Sequence, residues 1–167
     1  MSHVKERPDI KLIVNADDYG YTRSVSKGIL DAACEGAVNA TGIMANGVSL
    51  ETMLPELSAV KELDSGVHLN LTYGKPLTTG MEHAVTRWSG SFPGKYEIAV
   101  AVMSGKIQLD VLEKEFSAQI EQCMQHGIKL RFLNSHEHIH MLPSIYRLTA
   151  SLARQFKIPF VRHTTME

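Results

Sequence analysis

Short β-rich apolar runs alternate with amphipathic helical stretches along this chain, and that alternation predicts an α/β protein on a mainly parallel sheet. Two further observations point the same way. Polar, chemistry-bearing residues gather just after the apolar runs, where parallel strands hand over to the next helix. Gly36 and Gly127 stop predicted helices ahead of the following strand, and Pro143 opens one as a first-turn residue. Five strands joined in this way require right-handed crossovers.

The first strand is expected over Lys11 to Asn15. Ser24 to Glu35 reads as a helix, with Val25, Ile29, Ala32 and Ala33 on its apolar face. A short strand over Thr41 to Ala45 leads through Asn46-Gly47 to a helix near Thr52 to Lys61. The third strand, Gly66 to Leu71, places Val67, Leu69 and Leu71 on one face and His68, Asn70 and Thr72 on the other. Thr72 to Gly105 carries Gly74, Pro76, Gly80, Gly90, Pro93 and Gly94, so it is expected as a long excursion with a short helix over Tyr96 to Met103. Such segments are commonly functional, and a substrate-facing lid is the expectation.

Val111 to His126 has the clearest helical pattern, with Leu112, Phe116, Ile120, Cys123 and Met124 on one stripe and Asp110 with Glu113 resembling a capping box. The fourth strand is Arg131 to Ser135. A helix from Pro143 with Ile145, Leu148, Leu152 and Phe156 inward follows, then a strand over Phe160 to Arg162.

The chain has 167 residues, 44% hydrophobic and 21% charged, enough for one globular domain with its own core. Net charge is −1 and the basic residues are scattered, so neither nucleic acid nor an anionic membrane is an expected partner. The N-terminal segment Met1 to Pro8 is polar, without the apolar stretch of a signal peptide, and no run suits a membrane span. Cys34 and Cys123 fall in predicted helices and read as reduced, buried thiols in a cytoplasmic protein.

Three segments carry the chemistry. Asn134-Ser-His-Glu-His-Ile-His140 follows an apolar strand, and an extended backbone would put His136, His138 and His140 on one face. Grouped imidazoles at a strand end suit a divalent metal, with a hydrogen-bonded surface run as the alternative. Val14-Asn-Ala-Asp-Asp-Tyr-Gly20 runs a strand into Asp17 and Asp18. Adjacent carboxylates repel, so inside a pocket they call for a cation or a shared proton; in an exposed turn they need neither. Gly66-Val-His-Leu-Asn-Leu-Thr72 adds His68. One carboxylate and two imidazoles from separate strands make a three-ligand catalytic set with room for water.

Taken in order, N-A-D-D-Y-G, G-V-H-L-N-L-T with G-K-P-L, and N-S-H-E-H-I-H-M-L-P resemble the YdjC-like carbohydrate deacetylases, over nearly the whole chain from Ile13 to Arg162. Asn134 departs from the family pattern, where many members carry Asp. The family's usual domain is also longer and carries a later His-Pro-Gly segment not found here. The resemblance implies an irregular (β/α) barrel, of which residues 1–167 would be a single domain covering roughly the first two-thirds; an open α/β sheet is the alternative. A sheet left open after five strands predicts either missing sequence or exposed edge backbone, the latter with association between copies as a homo-oligomer.

The resemblance implies a metal-dependent hydrolase that removes acetyl groups from N-acetylated sugars. Asp18, His68 and His136 are the expected ligands of one divalent ion. Similarity to NodB-type deacetylases makes Asp17 the catalytic base, and the reverse assignment of the two aspartates is open. Two imidazoles suit Zn²⁺, whereas family usage favours Mg²⁺. His138 and His140, spaced ~7 Å along a strand, are expected to orient ligands, stabilise an oxyanion or face substrate, and Glu137 to be structural. Asn46, Asn70 and Tyr73 are candidates for sugar contact, with buried-network or surface roles as the alternative. The competing functions are a non-catalytic metal- or sugar-binding remnant and a different metal-dependent amide or phosphoester hydrolase.

Overall fold

The computed structural model describes residues 12–164. Its strands are β1 (Asn15–Tyr19), β2 (Ala40–Ile43), β3 (Asp64–Leu69), β4 (Leu130–Ser135) and β5 (Phe160–Val161). All pair in parallel, and their spatial order is their sequence order. That is the winding of a (β/α) barrel; a doubly wound open sheet would reverse order at a switch point. Among the described residues the sheet does not close, since β1 pairs with β2 and β5 with β4.

β1 starts later than the apolar run suggests. Leu12, Ile13 and Val14 are exposed, and Asn39 engages their backbone: Val14 N donates to Asn39 Oδ1 at 2.8 Å and Asn39 Nδ2 to Leu12 O at 2.9 Å. A side-chain amide thus takes bonds that a neighbouring strand would supply. Lys11, the expected start of this strand, and the polar N-terminal segment lie outside the described residues.

The connecting helices are α1 (Arg23–Cys34), α2 (Leu50–Ala59), α3 (Thr79–Ala84), α4 (Lys95–Met103), α5 (Leu109–Gln125) and α6 (Pro143–Gln155), with 3₁₀ turns at Thr86–Trp88 and His136–Met141. α1 is capped by Thr22, which accepts from Val25 N. Ile29 is buried as expected and Val25 and Ala33 pack half-buried against the core, with Ser26 and Leu30 buried beside them. Ser26 is the polar addition to that face: its hydroxyl accepts from Gly20 N at 2.9 Å and donates to Thr22 O at 3.0 Å, locking α1 to the end of β1.

α5 buries the expected Leu112, Phe116, Ile120 and Cys123, while Met124 turns outward. The helix begins at Leu109 behind Gln108, without a side-chain cap, so the expected capping box is absent. Asp110 instead pairs weakly with Lys114 on the solvent face. Glu115 and Gln119 also face inward, a placement that apolar periodicity could not reveal. In α6, Pro143 sits in the first turn, Ile145 and Leu152 are buried, and Leu148 and Phe156 are partly so.

Most of the excursion between β3 and α5 is a packed layer rather than a lid. Met81, Val85, Ile98, Val102 and Ile107 join the core. Cys123 is buried as expected, and burial pushes its thiol up to about 12, but Cys34 is exposed near the C-terminus of α1. Among the described residues no helix is long and apolar enough to cross a membrane.

Candidate metal centre

On a regular strand Asp17 and Asp18 would face opposite sides of the sheet. The register between β1 and β2 shifts between Ala16 and Tyr19, and Asp18 adopts a φ of 73°. This bulge turns both carboxylates toward one imidazole: Asp17 Oδ1 lies 3.3 Å from His68 Nδ1, and Asp18 Oδ1 lies 3.2 Å from His68 Nε2. A left-handed backbone at a non-glycine residue costs about 1 kcal/mol or more, and such strain concentrates at functional sites. Gly42 on β2 leaves the space that Asp17 occupies, since a Cβ there would fall 2.6 Å from Asp17 Oδ1.

Register brings the remaining groups together. Asn134 on β4 stands opposite the buried His68 on β3. Its Nδ2 donates to Asp17 Oδ1 at 2.7 Å, which turns its Oδ1 to accept from His68 Nδ1 at 2.7 Å. Asn134 thereby assigns a proton to His68 Nδ1 and orients the ring so that Nε2 faces Asp18. An aspartate at position 134 would set a further carboxylate against Asp17 instead of a donor. His136 follows β4 directly and hydrogen bonds through Nδ1 to Asp18 Oδ1 at 2.8 Å.

Burial alone would raise the pKa of Asp17, but the His68 charge, Arg162 and Asn134 overcome it and hold the carboxyl below its ordinary value. Arg162 NH1 donates to Asp17 Oδ2 at 2.8 Å. Burial also opposes ionisation of Asp18, and hydrogen bonds from His136 and His68 outweigh it, so its pKa is lowered strongly. His136 is raised in turn, by its bond to Asp18 against a burial cost.

The backbone after Ser135 does not stay extended. His136–Met141 is a 3₁₀ turn in which Glu137 and His138 take left-handed φ values of 52° and 58°. The three imidazoles therefore do not share a face. His140 is fully buried: its Nδ1 meets Ser135 Oγ at 2.5 Å, and its Nε2 lies 2.8 Å from the backbone oxygen of Arg162, so it ties β5 to the turn. Burial lowers its pKa. His138 is exposed beside Arg162, with Nδ1 at 3.4 Å from NH2, and burial followed by the Arg162 charge lowers its pKa. Glu137 is exposed.

Asn46 and Asn70 spend their amides within the protein. Asn70 Nδ2 donates to Asn46 Oδ1 and Tyr73 O, and Asn46 Nδ2 donates to Tyr73 O and Lys75 O. Both hold the loop after β3. Sequence reading missed Asn15, Gly42, Tyr21 and Arg162. Asn15, whose Nδ2 donates to Asp17 Oδ1 at 2.7 Å, had a signal in its place inside the aspartate motif. Gly42 had one too, as an isolated glycine within a strand. Arg162 is 145 residues from Asp17 and carried none beyond lying at a strand end.

One donor atom from each of Asp18, His68 and His136 lies within 4.8 Å of the others. A carboxylate and two imidazoles form a donor set that fits one divalent ion. A carbohydrate deacetylase of Oceanobacillus iheyensis is 35% identical over 150 residues, covering 90% of this chain and 64% of the relative. One from Geobacillus stearothermophilus is 33% identical, covering 88% and 57%, and the human carbohydrate deacetylase is 30% identical, covering 93% and 49%. The chain thus spans about half to two-thirds of the length of these relatives. A crystal structure from Enterococcus faecalis V583, provisionally described as a cellobiose-phosphate cleavage protein, superimposes with a TM-score of 0.80 at 26% identity, covering 92% of this chain and 59% of that one. The profile of the YdjC-like protein family matches residues 11–167, and the chain belongs to that family.

Proposed function

We propose that residues 1–167 form one domain of a carbohydrate deacetylase that hydrolyses N-acetyl groups on sugars, with one divalent ion held by Asp18, His68 and His136. The observation that carries this reading is the convergence of those three donors within 4.8 Å, in a chain whose relatives are named carbohydrate deacetylases. A divalent ion held there would supply Lewis-acid polarisation of an amide carbonyl and acidify an attacking water. Mg²⁺ is the first ion to test on family usage, and Zn²⁺ the competitor that two imidazoles suit. Two free thiols, at Cys34 and Cys123, favour a reducing, cytoplasmic setting.

Asp18 touches both imidazoles through one oxygen, which supports it as the ligand carboxylate. Asp17 lies outside that trio and serves as the base. Its Oδ1 is occupied by Asn15 and Asn134, whereas Oδ2 has the one hydrogen bond from Arg162 and keeps a lone pair for a proton. Against the cost of burial, His68, Arg162 and Asn134 hold Asp17 below its ordinary pKa, so the base is ionised throughout the neutral range.

The test is acetate release from N-acetylglucosamine oligomers by chelator-treated protein, before and after Mg²⁺ or Zn²⁺ is restored. Metal content of His68→Ala and His136→Ala accompanies it, with an expected loss of affinity of at least about tenfold. Stoichiometric metal in both variants would remove the ligand assignment. Metal binding without acetate release would instead favour a non-catalytic metal-binding unit.

A further inference from the structure

Two tyrosine rings stand at the rim of the metal centre. The Tyr21 and Tyr73 centroids are 4.4 Å apart with planes tilted by 51°. Tyr21 also lies 6.1 Å from the His136 ring at 28°, nearly parallel to it. Tyr73 is 39% exposed and Tyr21 is half-buried, so the pair offers ring surface to solvent directly beside a proposed ligand.

The fold holds Tyr73 far more firmly than a surface residue requires. Tyr73 N donates to Asn70 Oδ1 at 3.1 Å, and Tyr73 O accepts from Asn70 Nδ2 at 2.6 Å and Asn46 Nδ2 at 3.2 Å. Asn70 is itself fully buried, and Gln119 grips its backbone from both sides, donating to Asn70 O at 2.8 Å and accepting from Asn70 N at 2.9 Å. Gln119 in turn donates to Glu115 at 2.9 Å. A continuous buried polar chain therefore runs from α5 to one exposed aromatic residue. The backbone that carries the Tyr73 ring is thereby fixed, and aromatic rings on a fixed backbone bind flat, partly apolar surfaces at low entropic cost.

A pyranose with equatorial hydroxyls is such a surface. Its axial C–H groups form an apolar face that packs on an aromatic ring, while its hydroxyls project around the edge, within reach of phenol oxygens. We propose that Tyr21 and Tyr73 form a sugar-stacking shelf beside the metal centre, taking the C–H face of an equatorially hydroxylated pyranose. The inference rests on the deacetylase reading only for the sugar's being N-acetylated; the shelf itself stands on the rings and the network beneath them. This gives Asn46 and Asn70 a positioning role, acting on substrate through Tyr73 rather than by direct contact.

The experiment pairs two measurements on the 167-residue chain with diacetylchitobiose: sugar binding by saturation-transfer NMR, and acetate release in the presence of Mg²⁺. Tyr21→Ala, Tyr73→Ala and Tyr73→Phe are compared with the parent, with circular dichroism as the folding control. In the parent, saturation should reach the axial ring protons. Each alanine variant should weaken binding roughly 3- to 10-fold, the size of one aromatic contact. KM should change more than kcat, and Tyr73→Phe, which keeps the ring, should recover most of the loss. Acetate release with affinity and KM indifferent to both rings would overturn the shelf and leave deacetylation standing. Ring-dependent sugar binding without acetate release would support the shelf while removing deacetylation by this chain. Absence of any sugar binding to the parent would overturn the shelf outright.

Discussion

Glu115 and Asp18 are carboxylates set among hydrogen-bonding neighbours, and their surroundings differ in kind. Glu115 is fully buried on regular helix, and donors surround it: Oε1 accepts from Leu77 N and Gln119 Nε2, and Oε2 from Thr78 N and Thr78 Oγ1. The cluster closes on itself and fastens the start of the excursion to α5. Asp18 is about one-third exposed on strained backbone, and its Oδ1 meets two imidazoles that gather toward a common point. A polar cluster that serves the fold satisfies its own valences, whereas one that serves a ligand keeps some of them turned outward and holds them under strain. The tyrosine shelf joins the two, because the closed network ends on the backbone of Tyr73, whose ring stands against Tyr21 at the rim of the open one.

The comparison breaks most visibly at Asp17. Asp17→Asn keeps the shape of the side chain but cannot accept a proton, so turnover should fall by roughly 10²–10⁴-fold while metal content holds. Steady-state acetate release and metal analysis on one preparation check this. Lost metal in Asp17→Asn, with metal retained in Asp18→Asn, would mean that the two aspartates exchange roles.

Glu115→Ala tests the closed cluster. It strips acceptors from Leu77 N, Thr78 and Gln119 in a buried place, and unfolding free energy should drop by roughly 3–5 kcal/mol, read by urea denaturation. Metal affinity of the folded fraction should stay at the parent value. An equal loss at Asp18→Ala with little loss at Glu115→Ala would reverse the distinction drawn between them.

The smallest expected effect is at alkaline pH. Burial raises the Cys123 thiol from 9.0 to about 12 and the Tyr19 phenol from 10.0 to about 12. Above pH 9 the unfolded chain releases these protons first, so it binds fewer protons than the folded one and stability falls as pH rises. Denaturation midpoints at pH 8 and pH 10 should show this decline. Near neutral pH a thiol reagent should label Cys34 and leave Cys123 untouched until the protein unfolds, since the first is exposed and the second buried.

Much of this protein was legible as sequence because short-range rules govern it. Apolar spacing locates α5 and α6 to within a few residues, and the aspartate motif, His68 and His136 announce the chemistry by residue type and by position at strand ends. The same rules erred where a tertiary contact outbid them. Leu12 to Val14 read as strand, but the side-chain amide of Asn39 holds Val14 N and Leu12 O, and α1 carries a buried serine on its inner face because Ser26 reaches Gly20. The His136–His140 spacing implied one face, but the backbone curls so that His140 can lock Ser135 to β5.

The sequence by itself determined the α/β class, the parallel winding and the donor types, because propensity, periodicity and ligand chemistry act over a few residues at a time. Only the tertiary structure decided which atoms meet. The bulge that aims Asp17 and Asp18 at one imidazole depends on β1 finding its register beside Gly42 on β2. The orientation of His68 depends on Asn134 standing opposite it on β4, and the ionised Asp17 on His68 from β3 and on an arginine 145 residues away. Those are distances across a sheet, set by the packing of every strand at once, and no local stretch of chain contains them.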